Sequence, residues 1–245
     1  METTRQPGSD ADLSTGLSRD VGTVAVIGCG LIGESWAALF RAHGYDVVAW
    51  DPDAAARDRF AGRQARPLQQ LAALGACRAA PGSLTVVPRL EEAVASAGWI
   101  QENAPEKVAL KHALYAQIEA AASEDAIVAS STSSLTWSEL APAFRHDRRF
   151  ITAHPFNPPH LMPLVELYAA DADVQVRAHA FYRSLDRVTV TLKKDAVGHI
   201  ANRLASALWR EAVHMVADGI AEVSDIAAAL VNGPGLRWSV IGHLQ

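Results

Sequence analysis

The chain has 245 residues, 49% hydrophobic and 20% charged, which is enough apolar material for a buried core in one or two domains. Its formal net charge of −5 gives no electrostatic reason to bind nucleic acid or an anionic membrane, and no apolar run approaches the roughly 18 residues of a membrane span, so a small molecule is the expected partner. Two cysteines, Cys29 and Cys77, are too few for a disulfide framework or a zinc site, so no metal is expected and a reducing cytoplasm fits. Residues 1–20 lack the apolar centre of a secretory signal and read as a disordered leader. From Val21, short β-branched or aliphatic runs alternate with Ala- and Leu-rich helical patterns, as in βαβ units around a parallel sheet. The pattern predicts strands at 23–27, 46–50, 84–87, 98–102, 126–130, 149–153, 164–167 and 188–192. Helices are predicted at about 31–43, 53–74, 89–96, 107–122 and 172–185, with Pro67 kinking or splitting the second. After Lys194 the alternation stops, and Ile200, Leu204, Leu208, Met215 and Val216 fall at helical spacing with no strand after them. The expected fold is therefore α/β, a Rossmann-type doubly wound and mainly parallel sheet over 21–195, followed by a short, incomplete all-helical domain over 196–245.

The first chemical signal is TVAVIGCGLIGESWAALF, an apolar strand, then Gly28-x-Gly30-x-x-Gly33, then a helix. The first glycine permits a tight turn, the second lets the backbone approach a pyrophosphate, and the third lets helix and strand pack closely. Gly28, Gly30, Leu31, Ile32 and Gly33 are the candidate phosphate contacts, with the helix N-terminus facing the anion. The second strand ends in Asp51, placed to accept hydrogen bonds from both ribose hydroxyls of NAD and to repel the 2′-phosphate of NADP, so NAD is the expected cofactor. Arg57 and Arg59 lie a helical turn or more further on.

The second signal is AHPFNPPHLMPLVELY, residues 153–168. Its four prolines fix φ and remove amide donors, so the stretch is expected to be neither helix nor central strand. His154 follows the sixth predicted strand, at the edge of the sheet where α/β proteins bind ligands. Oxidising an alcohol needs a base for the hydroxyl proton, and imidazole suits that task near neutral pH. Glu166, among Leu164, Val165 and Leu167, can orient that imidazole and stabilise its protonated form.

The ordered set AVIGCGLIGESWA, ENAPEKVALK, ASSTSSL, HPFNPPHLMPLVE and GHIANRLASALWREA resembles the 3-hydroxyacyl-CoA dehydrogenase family from about Val21 to Ile241, and most closely the branch that includes L-gulonate and carnitine 3-dehydrogenases. The resemblance implies that His154 and Glu166 are the catalytic dyad, that Ser133 and Asn202 meet the substrate's 3-oxygen, and that Glu106 and Lys111 line the nicotinamide side of the cofactor site. Each has a plainer reading: Ser133 or Ser134 as a helix cap, Asn202 as an exposed polar position, Glu106 and Lys111 as charges at a helix start. The sequence departs from the family pattern at Ser131, usually asparagine, and at Val197, usually proline. It also ends at Gln245, where related proteins continue with further helices, so truncation is expected. The resemblance implies a homodimer formed through the C-terminal helices. The expected activity is NAD-dependent interconversion of a 3-hydroxyacyl-CoA and its 3-keto form. A free 3-hydroxy acid of the gulonate or carnitine type is the alternative, and a non-catalytic NAD-binding protein is the alternative from another class. Arg63, Arg66 and Arg78 are the basic residues available to grip the phosphates of CoA.

Overall fold

The computed structural model describes residues 21–77 and 80–241; the expected leader and Arg78 lie outside the described residues. One compact unit runs to His199 and a second begins at Ile200. In the first, an eight-stranded sheet has the order β3-β2-β1-β4-β5-β6-β7-β8. The strands are β1 (Thr23–Ile27), β2 (Val47–Trp50), β3 (Leu84–Val86), β4 (Ala97–Glu102), β5 (Ile127–Ser130), β6 (Phe150–Pro155), β7 (Leu164–Tyr168) and β8 (Val188–Thr191). The helices are α1 (Leu31–Ala42), α2 (Ala54–Arg63), α3 (Ala65–Ala73), α4 (Leu90–Val94), α5 (Val108–Ala121), α6 (Trp137–Leu140) and α7 (Ala172–Ser184). All neighbouring strands from β3 to β6 pair in parallel, and β4 lies on the far side of β1 from β2. The winding therefore reverses between β1 and β4, and a ligand is expected beyond the C-terminal ends of those strands.

Both faces of the sheet are covered, as a parallel sheet requires. Alternate β1 side chains supply the two cores. Val24 and Val26 pack with Trp36, Phe40, Phe181 and Tyr182. Ala25 and Ile27 pack with Leu90, Tyr115 and Ile118 on the other face. Trp36 is fully buried and stacks on Phe40 with ring centres 5.4 Å apart, so α1 is anchored directly behind the glycine turn.

Two local expectations are corrected. The predicted helix 53–74 is two helices that break at Gln64, and Pro67 sits three residues beyond the break. In the first turn of α3 its missing amide is not needed for an intrahelical bond. The proline-rich stretch also does contribute central strands, because β6 runs through His154 to Pro155 and lies between β5 and β7. Pro155 closes the strand, and the ladder resumes past it with the Phe156 amide donating to the Leu164 carbonyl at 3.1 Å.

The second unit contains α8 (Ala201–Ala217), α9 (Val223–Asn232) and α10 (Pro234–Val240), none of which has a buried residue. Leu208, Trp209, Val213 and Val216 of α8 face Ile226 and Leu230 of α9 across an apolar groove of about 660 Å³. Among the described residues no helix is long and apolar enough to cross a membrane.

Candidate active site

Gly28 has φ +100°, a left-handed conformation that glycine adopts at no steric cost. A Cβ on Gly33 would lie 1.9 Å from the Gly28 carbonyl oxygen, so any side chain there would push α1 off the turn. At Gly30 an added Cβ would meet nothing within 4 Å, and α1 has no side-chain N-cap. The turn thus leaves open space over helix amides that have no capping oxygen, a cradle that fits the pyrophosphate of NAD.

Asp51 completes that cradle at the end of β2. Its Oδ2 accepts the Cys29 amide at 2.8 Å and its Oδ1 accepts the Asp53 amide at 2.9 Å, which ties the carboxylate to the glycine turn. Each oxygen keeps acceptor capacity for a ribose hydroxyl. Arg57 comes closer than its sequence spacing implied, with Nη1 donating to the Asp51 carbonyl at 2.6 Å. Burial, and then the Asp51 charge, push the Cys29 thiol up to about 12, so it is an inert packing group in this turn. If Asp51 holds the ribose, Asp51→Ala removes charge-assisted bonds worth roughly 1.5–3 kcal/mol each and should weaken NAD binding about ten- to a hundredfold. A calorimetric titration checks this, and an unchanged dissociation constant would remove Asp51 from the site.

The antiparallel pairing of β6 with β7 sets His154 directly opposite Glu166. His154 Nδ1 and Glu166 Oε2 are 2.7 Å apart, and both residues are buried, at 5% and 1% exposure. A carboxylate only accepts, so Nδ1 carries the proton and Nε2 presents its lone pair. The connecting loop is fixed by more than its prolines. Ser35 of α1 accepts the His160 amide at 2.8 Å and meets His160 Nδ1 at 2.6 Å, while Gln70 of α3 holds His160 Nε2 at 3.0 Å. Buried Arg187 donates to the Pro159 and Met162 carbonyls at 2.9 and 3.2 Å. Burial, then the Arg187 charge, lower the His160 pKa, which keeps this ring a neutral strut.

A polar cluster supports the strand ends next to the dyad. Fully buried Glu102, the last residue of β4, pairs with Lys111 Nζ at 2.6 Å and accepts from Ser130 Oγ at 2.7 Å and from the Tyr115 hydroxyl. Burial, then Glu102, hold the Tyr115 pKa well above its ordinary value, so the phenol stays a donor. Lys111 is 1% exposed, with its ammonium turned into this cluster. Glu106 accepts the Ser133 amide at 2.6 Å and the Thr132 hydroxyl at 2.9 Å, and so holds the turn after β5. The cap of α6 is Thr136, in a capping box with Glu139, and neither Ser133 nor Ser134 fills that role. Asn202 is the second residue of α8, in the C-terminal unit.

Sequence reasoning passed over His199. This residue is 3% exposed and has φ +49°, a backbone state that costs a non-glycine residue roughly 1–2 kcal/mol. Its ring stacks on that of His154, with centres 4.7 Å apart and planes 19° from parallel. The helical periodicity of the following segment concealed it, although the Gly198-His199 pair just before that helix is a local irregularity visible in the sequence.

An open glycine turn tied to a carboxylate, together with a buried imidazole–carboxylate pair, is the arrangement expected of an NAD-dependent oxidoreductase acting on a CH–OH group. The model of the 3-hydroxyacyl-CoA dehydrogenase NAD-binding domain matches residues 23–196, and that of the 3-hydroxyacyl-CoA dehydrogenase C-terminal domain matches residues 198–245. An L-carnitine dehydrogenase of Streptomyces griseus is 47% identical over 232 residues, covering 92% of this chain and 68% of the relative. A second L-carnitine dehydrogenase, from Nocardiopsis dassonvillei, is 43% identical over 91% of this chain and 69% of its own length. Among solved structures, 5-formyl-3-hydroxy-2-methylpyridine 4-carboxylic acid 5-dehydrogenase, described as an NAD+-dependent dismutase, superposes with a TM-score of 0.87 at 30% identity, covering 91% of this chain and 74% of that one. The chain belongs to the 3-hydroxyacyl-CoA dehydrogenase family, and its cofactor is NAD.

Proposed function

We propose that the protein oxidises a small free 3-hydroxy acid of the L-carnitine type to its 3-keto form, in place of the CoA thioester expected at first. The observation that carries this reading is its 40–47% identity to L-carnitine dehydrogenases over 89% or more of the chain. The local charges support it. Arg63 lies 3.9 Å from Glu34, and Arg66 shares a cavity of about 320 Å³ with Glu34, Gln70 and His160. A CoA phosphate needs a cationic patch, whereas here Glu34 stands beside both arginines and offsets their charge. Arg78 lies outside the described residues.

NAD, when bound, would supply the acceptor for the hydride of the carbinol carbon. The chain's own residues manage the proton and the charge. Nε2 of His154 accepts the hydroxyl proton, and Glu166 stabilises the imidazolium through Nδ1–H. Ser133, on the turn held by Glu106, donates to the substrate oxygen as it gains charge. Gly28, Gly30, Leu31, Ile32, Gly33 and Asp51 hold the dinucleotide. A second copy of the chain would cover the apolar side of α8, where Leu204, Leu208, Trp209 and Val213 are at least 43% exposed, and light scattering over a dilution series reads that association.

Turnover of the purified chain with NAD should be measured against L-carnitine, L-gulonate and 3-hydroxybutyryl-CoA. NADH formation with L-carnitine is expected, and oxidation of the thioester alone would reverse the assignment.

A further inference from the structure

Two histidine rings lie face to face at the candidate site, and the dyad uses only one of them. His199 has its centre 4.7 Å from that of His154, in nearly parallel planes. Its Nε2 lies 3.2 Å from the Thr132 carbonyl oxygen, which can only accept, so Nε2 carries the proton and the ring is held in one tautomer. Thr132 is held in turn, because its hydroxyl donates to Glu106, whose other oxygen takes the next amide. A chain of contacts therefore runs from Glu106 through the turn after β5 to His199, and from His199 to the face of His154. Nδ1 of His199 is buried and has no hydrogen-bond partner among the described residues, which is consistent with an uncharged ring.

We infer that His199 is a positioning residue for His154: its neutral ring fixes the plane of the general base. The inference rests on the reading of His154 as the base. A flat ring in stacking contact limits rotation of the imidazole about its Cβ–Cγ bond, so Nε2 keeps one direction while Glu166 holds Nδ1. The same closeness makes the two rings poor neighbours when both are charged. An imidazolium on His154 is stabilised by Glu166, but a second positive charge one ring-thickness away opposes it. The charged groups acting on His199 are His154, Glu166 and Asp195. Asp195 is occupied at the α6 N-terminus by the Trp137 and Ser138 amides, and Glu166 is bound to His154. Burial, followed by His154, outweighs the two carboxylates and the Thr132 bond, so the His199 pKa lies below that of an ordinary histidine. The ring beside the base is therefore uncharged near neutral pH.

The test compares the native chain with His199→Ala and His199→Phe. His199→Ala should lower kcat by about tenfold or more with little change in the NAD dissociation constant, and His199→Phe, which restores a flat ring, should recover most of that loss. A readout without cofactor is long-range 1H–15N NMR of the imidazoles. In the native chain the His154 signals should show the Nδ1–H tautomer and those of His199 the Nε2–H tautomer. Native kcat in His199→Ala, or a His199→Phe variant no faster than His199→Ala, would overturn the inference. If His154→Gln is inactive while His199→Ala is fully active, only the role of His199 falls; if His154→Gln itself turns over normally, the reading of the base falls with it.

Discussion

Replacing His154 by glutamine is expected to lower kcat by about 10²–10⁴ while leaving NAD affinity within about twofold of native. Glutamine is similar in length and can still hydrogen-bond to Glu166, so the strand pair and the phosphate cradle should persist. It has no lone pair basic enough to hold the hydroxyl proton, so what is lost is proton transfer. Glu166→Gln should act in the same direction through a different cause, because it leaves the dyad's hydrogen bond possible but removes the negative charge that stabilises the imidazolium. Steady-state kinetics with the best substrate from the screen, alongside an NAD titration, separates the two contributions. Full turnover in His154→Gln would mean that another group takes the proton, and the assignment of the dyad would have to be abandoned.

The glycine turn was legible in the sequence because its requirements are local. A left-handed turn and a close helix–strand contact each exclude a side chain at one position, and the structure gives both reasons at Gly28 and Gly33. The strand positions were legible for a similar reason, since short β-branched runs between helical patterns leave little choice of element. The meeting of His154 and Glu166 was foreseen from chemistry and resemblance, but its cause was hidden. It is a register, with β7 turning back antiparallel on β6 so that positions 154 and 166 face each other. Four prolines made the stretch look like a stiff loop, and proline content does not reveal that the residues on either side of the loop pair as interior strands. The pins that hold this loop come from Ser35, Gln70 and Arg187, far away in sequence, and no local pattern marks them.

Long-range packing also decided the two residues whose surroundings were least foreseeable. His199 sits just before a strongly periodic helical segment, and the stacking with His154 depends on a left-handed backbone that sequence spacing does not encode. Lys111 looks like an exposed charge on the first turn of a helix, because in most proteins a lysine there is solvated. Here its direction is set by Glu102 at the end of β4, which is itself buried by the neighbouring strands.

That ion pair supports the last prediction. Glu102 has no exposure and Lys111 has 1%, so neither charge has water to fall back on. Removing the ammonium alone, as in Lys111→Met, leaves a carboxylate in the sheet interior, a change that typically costs about 3–5 kcal/mol. Ser130, Tyr115 and the Ala104 amide still donate to Glu102, which places the expected loss near the lower end of that range. For a chain of this size the melting temperature should then fall by about 6–12 °C. The double variant Lys111→Met/Glu102→Gln should regain a substantial part of that loss, because the amide oxygen can accept the Ala104 amide while its NH2 donates to the Ser130 or Tyr115 hydroxyl, with no charge left buried. NAD affinity then separates two roles for the lysine. If Lys111 acts only by neutralising Glu102 beneath the site, affinity returns with stability in the double variant; if its ammonium touches the cofactor, as the family resemblance implied, affinity stays low while stability recovers. A single variant that melts within about 1 °C of native would show that the buried pair is not coupled to the fold at all, and the supporting role given to the Glu102 cluster would be wrong.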